Sequence, residues 1–98
     1  MKVVISQPMK GLTEDQIRLN RSQVVKALEA EGHTILETIF NFNLTDSIKH
    51  QPVYYLGESL KKLSEADVVY FMKGWEDARG CVIEHETCTR YGIPTIEE

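Results

Sequence analysis

The sequence predicts one α/β domain over residues 1–98, built on a doubly wound, largely parallel open sheet of about four strands and three helices. Three observations predict it. Short apolar runs alternate with segments of helical period in the order β-α-β-α-β-α-β. One of those runs, Val3–Ile5, is continuous and β-branched, as in a strand buried on both faces of a parallel sheet, and another, Asp67–Met72, is the most strand-like in the chain. Pro8, Gly32, Pro52, Gly74 and Gly92 punctuate the periods.

The first strand covers Lys2 to Gln7 and breaks at Pro8. Thr13 to Gln16 has the T-x-x-Q form of a capping box, with Glu14 and Asp15 in the turn where the helix dipole favours acids. A helix over Glu14 to Glu31 follows, with Ile17, Val24 and Leu28 on its apolar stripe and Gly32 as its stop. His33 to Glu37 is a second strand, and a right-handed crossover joins it to the first. Thr38 to Gln51 shows neither period and is left unassigned. Pro52, followed by Tyr55, Leu56, Leu60 and Leu63, marks a helix to about Ala66. Asp67 to Met72 is the central strand, and a loop from Lys73 to Arg79 leads into a third helix. On that helix Cys81, Glu84, Cys88 and Tyr91 form one stripe, Gly92 is the stop, and Ile93 to Ile96 is the closing strand.

The bulk composition excludes several functions. The net charge of −4 comes with scattered cations, so a duplex nucleic acid, which needs a concentrated basic face, is not an expected partner. Cys81 and Cys88 lie ~10 Å apart along a helix, too far to bridge. With no histidine spaced to complete a zinc set, they read as buried free thiols, and neither a metal nor a cofactor is implied. The apolar run at the N-terminus is too short for a signal peptide or a membrane span, so a cytoplasmic location is expected.

Ligands of such sheets bind at the carboxyl ends of the strands. That rule selects the loop after the first strand, the segment from Glu37 and the loop Lys73–Arg79. The first, SQPMKGL, lacks both the GxGxxG and the GxxxxGK phosphate-binding patterns. The third places Trp75, Glu76, Asp77 and Arg79 just before a helix start, a combination suited to a base, a phosphate and a glycosidic bond. Glu84 is the candidate catalytic residue: a carboxylate near the first turn, on the inward stripe. The helix dipole would favour its ionised form by a few tenths to about 1 kcal/mol, keeping it a nucleophile at neutral pH. Two readings stand, a catalytic carboxylate or a helix-stabilising acid. Trp75 likewise either covers a base or plugs the core edge. His85 and Glu86 turn away from Glu84 and are expected in solvent, and His33 and His50 are isolated.

Several segments carry a resemblance: Ile5-Ser6-Gln7-Pro8-Met9-Lys10-Gly11-Leu12, Gly32-His33-Thr34-Ile35, Ala66-Asp67-Val68-Val69, and Gly74-Trp75-Glu76 through Gly80 to Glu84, with Gly92-Ile93-Pro94 behind. In these the chain resembles the nucleoside 2-deoxyribosyltransferase superfamily, in particular its short bacterial and phage branch of unknown function. The resemblance implies a flavodoxin- or Rossmann-like fold, a nucleoside or nucleotide ligand and a glutamate nucleophile at Glu84 that attacks C1′ and releases the base. It implies that Ser6, Gln7, Pro8 and Met9 line the sugar and base pocket, that Gly80 lets the backbone approach the ligand, and that Trp75 covers the base. Asp77 and Arg79 complete the expected binding set, and a homo-oligomer, a dimer, is the expected assembly. The chain departs from the pattern at Gln7, where a glycine is frequent, and at Ser59, where the enzymes carry an aspartate that assists departure of the base. A serine cannot act as a carboxylic acid. The resemblance therefore supports an N-glycosidase or deoxyribosyltransferase, with a nucleotide-binding module of weak or no activity as the alternative.

Overall fold

The two most apolar runs occupy the centre of the sheet. The computed structural model describes residues 1–98 and holds one four-stranded sheet of order β2-β1-β3-β4, in which every pairing is parallel. The strands are β1 (Lys2–Ser6), β2 (Thr34–Leu36), β3 (Val68–Phe71) and β4 (Thr95–Glu97); the helices are α1 (Glu14–Ala30), α2 (Gln51–Leu63) and α3 (Arg79–Tyr91). This is the flavodoxin- or Rossmann-like α/β fold that the alternation of periods predicts. No helix is long and apolar enough to cross a membrane.

Side-chain alternation along the central strands divides the core in two. Val4, Val69 and Phe71 pack with Leu63 of α2 and Cys88 of α3. Val3, Ile5 and Val68 pack with Leu28, Val24 and Val25 of α1. One helix thus covers one face and two cover the other. Right-handed crossovers give this arrangement when the chain moves outward from β1 to β2 and then back past β1 to β3. The reversal leaves a crevice at the carboxyl ends of β1 and β3, where such sheets bind ligands.

The local signals fix most boundaries. The Thr13 hydroxyl accepts from the Gln16 N–H at 3.2 Å while the Gln16 side chain accepts from the Thr13 N–H at 2.9 Å, completing the capping box. Past the third strand the structure differs from expectation. Gly74, at φ 91°, starts a turn of 3-10 helix over Trp75–Asp77 where an open loop was expected. The left-handed conformation is one that a side chain would strain. The α3 stripe is shorter than predicted: Cys81, Glu84 and Cys88 are buried, but Tyr91, the last residue of the helix, is 81% exposed. The unassigned stretch from Thr38 has no regular element, although Thr38 and Ile39 are buried.

Candidate functional site

A cavity of about 620 Å³ opens at that crevice, within the size range of small-molecule clefts. Its wall combines the end of β1 and the loop after it, the start of α1, residues Thr38–Asn41, one face of α2 and the start of α3. Glu84 is part of this wall and is only 8% exposed. The Ser6 hydroxyl, at the carboxyl end of β1, donates to Glu84 Oε1 at 2.9 Å. Glu84 Oε2 makes no hydrogen bond within the chain, so one carboxylate oxygen of this wall residue is free.

The electrostatics of Glu84 correct the expectation from the helix dipole. Glu84 is the sixth residue of α3, beyond the first turn in which the dipole acts. Burial dominates and pushes its pKa up to about 7, against the opposing pull of the Ser6 hydrogen bond and the Arg21 charge. Burial also raises the Cys81 thiol above its usual value and pushes that of Cys88 up to about 11, so neither is a thiolate nucleophile at neutral pH.

Arg21 is the residue that sequence reading missed. It is 5% exposed, lies behind the cavity wall, and donates through Nε to Gln7 Oε1 and through Nη2 to Ile5 O at 3.5 Å and Thr38 Oγ1 at 3.3 Å. Burial lowers its pKa to about 10, so it keeps its charge at neutral pH. No carboxylate lies within ion-pair distance of it. A signal was present: position 21 is four residues after Ile17 and seven before Leu28, on the apolar stripe of α1. Gln7 completes the network by donating from Nε2 to Ile17 O at 3.1 Å. Its side chain is thereby drawn toward α1, which explains how a large residue is accommodated where the resemblance has a glycine.

Of the residues singled out in the sequence, Ser6, Gln7, Met9, Arg79, Gly80 and Glu84 share the cavity wall. Ser59 joins them from α2. Pro8, Trp75 and Asp77 do not. Pro8 turns to the neighbouring loop, where a Cβ on Gly74 would come within 3.6 Å of its ring. Asp77 is exposed in the 3-10 turn. Trp75 takes the core-edge role: its ring stacks on His85 at 4.2 Å and 17° and meets Phe71 at 5.4 Å. The expectation that His85 is solvated is corrected by the same stack, since the adjacent 3-10 turn folds Trp75 over it and its Nε2 pairs with Glu97 at 2.7 Å. Glu86 does lie in solvent, beside Arg90. Cys81 and Cys88 are free and buried. No cluster of three or more His, Cys, Asp or Glu side chains is arranged to hold a metal ion.

A family profile described as a domain of unknown function, DUF4406, matches residues 1–97. The chain belongs to the DUF4406 family. A solved structure of a 2-deoxyribosyltransferase from the psychrotolerant bacterium Bacillus psychrosaccharolyticus matches this DUF4406 chain with a TM-score of 0.71 at 18% identity, covering 99% of this chain and 71% of that one. At that identity the likeness is one of fold. No curated protein matches the chain significantly.

Proposed function

We propose that this DUF4406 chain breaks or exchanges the N-glycosidic bond of a 2′-deoxynucleoside or its 5′-monophosphate, with Glu84 as the nucleophile. The observation that carries the reading is the Glu84 carboxylate itself. It is buried in the wall of a ligand-sized cavity at the topological switch point, with one oxygen held by Ser6 and the other free. Ionising a carboxylate so buried costs stability, and buried, perturbed carboxylates concentrate at functional sites.

In this scheme Oε2 attacks C1′ and forms a glycosyl ester while the C1′–N bond breaks and its electron pair leaves with the base, which takes its proton from solvent. Water or a second base then attacks C1′ and restores the Glu84 carboxylate. Only the ionised form can attack. Its fraction rises as pH rises through the Glu84 pKa of about 7, so kcat/KM climbs through an acid limb near neutrality. The expected outcome is that purified protein releases free base from a panel of 2′-deoxynucleosides and their monophosphates, and that Glu84→Ala abolishes that release. Absence of any base from the wild type sinks the catalytic reading.

Ser59 supports a second reading. It lines the cavity, and by the resemblance it stands in place of an aspartate that assists departure of the base, a role a hydroxyl cannot fill. A nucleotide-binding module without turnover follows from that substitution. Calorimetric binding by the wild type with no product distinguishes it from the first.

A further inference from the structure

Phe40 and Tyr55 are the only aromatic residues in the cavity wall. We propose that their rings form the shelf on which the planar base of the ligand stacks, with Asn41 reading its edge; this rests on the nucleoside reading above. Trp75, the aromatic that the sequence suggested for this role, is occupied by His85 and Phe71 and is absent from the cavity.

The shelf is built rather than incidental. Phe42 lies stacked with Phe40 at 5.6 Å and 14° and with Tyr55 at 6.0 Å and 7°, so the three ring planes are close to parallel. The Tyr55 hydroxyl fastens this arrangement twice, accepting from the Phe42 N–H at 3.3 Å and donating to the Phe42 carbonyl at 3.2 Å. Tyr54 closes the group edge-on against both Phe42 and Tyr55. An irregular segment is thus clamped to the start of α2 by four rings and two hydrogen bonds. Rings fixed before binding lose little freedom when a base stacks on them.

The position of the shelf agrees with the proposed chemistry. Tyr55 and Ser59 are one turn apart and line the cavity together from one face of α2. The leaving base would therefore lie along this face, with its sugar toward Ser6 and Glu84. Asn41, next to Phe40 in the wall, makes no side-chain hydrogen bond within the chain, so both its donor and its acceptor are available to a base edge.

The test is calorimetric binding of 2′-deoxyadenosine, with 1,2-dideoxyribose as the baseless probe, in a Glu84→Gln background where bound nucleoside is not consumed. Phe40→Leu and Tyr55→Leu each weaken 2′-deoxyadenosine binding on the order of tenfold, the effect of losing one base–aromatic stack, and leave the sugar probe unchanged. Phe40→Tyr, which keeps the ring, binds as the parent does. Asn41→Ala, at an exposed position that does not support the core, narrows the affinity difference between 2′-deoxyadenosine and 2′-deoxyinosine. Parental affinity in both leucine variants overturns the shelf while leaving the nucleoside reading intact. A parent that binds no nucleoside at all overturns that reading, and the shelf with it.

Discussion

Burial makes the ionised state of Glu84 the costlier one in the folded chain, so stability depends on pH with a definite sign. Its folded pKa of about 7 lies above the reference value of 4.5, so between those values the folded chain binds more protons than the unfolded one. Stability contributed at this position is present in full below about pH 4.5 and is lost as pH rises through about 7. The difference amounts to ~3 kcal/mol at most, at 1.36 kcal/mol per pKa unit. Glu84→Gln can still accept the Ser6 hydrogen bond but cannot ionise. It is expected to be ~1–3 kcal/mol more stable than wild type at pH 8 and nearly equal to it at pH 4.5, as read by denaturant unfolding at the two pH values. Identical pH dependence in both proteins would show that Glu84 is not buried as described. Sequence reading found this residue, because an acid on the inward stripe of a helix is visible as periodicity. It misjudged the charge state, because desolvation depends on what surrounds the carboxylate and leaves no trace in helical spacing.

Elements that carry their own signals were legible, and those held by distant partners were not. The α1 capping box, the Pro52 start of α2 and the β-branched core of β1 are local, and each formed where the residues say. The segment after Thr38 was unreadable because its order comes from Tyr55, thirteen residues beyond Phe42, and from Arg21, seventeen residues before Thr38. For the same reason the sequence did not decide between the two readings of Trp75 and hid the sheltering of His85, since ten residues and a 3-10 turn separate two rings that stack. Arg21 is the clearest case of an element-joining residue. It belongs to α1, yet it ties together the carbonyl of Ile5 in β1, the Gln7 amide after β1, and Thr38 after β2. Arg21→Met leaves these acceptors under-satisfied and is expected to cost roughly 2–4 kcal/mol in urea unfolding. Removing its charge also withdraws a stabilising influence on ionised Glu84, so the acid limb of kcat/KM moves to higher pH. A variant that lost stability without moving that limb would mark Arg21 as a strut alone.

At the scale of the molecule, the rotation of α3 is set from two sides, and the core lies beneath one of them. Ser6 at the end of β1 holds Glu84, while the next residue, His85, is held between Trp75 and Glu97 of β4. Phe71, wholly buried at the end of β3, meets both the Trp75 ring at 5.4 Å and the His85 ring at 4.9 Å. The same side chain also anchors the core on the α2 and α3 face with Val4, Val69, Leu63 and Cys88. One aromatic thus joins sheet packing to the orientation of the helix that carries the carboxylate. Phe71→Ala opens a cavity at this junction and is expected to cost ~3–5 kcal/mol, a large share of the total for a domain of this size. Leu19→Ala, at a position 72% exposed on α1, should shift stability by no more than ~0.5 kcal/mol. Trp75 is the single tryptophan, so its fluorescence reports on the affected layer directly. In Phe71→Ala the emission moves to the red under native conditions, as the ring loses its packed neighbours, while Leu19→Ala emits as wild type does. An unshifted spectrum in Phe71→Ala would show that the Trp75–His85 stack stands without Phe71, and α3 would then owe its rotation to Ser6 and Glu97 alone.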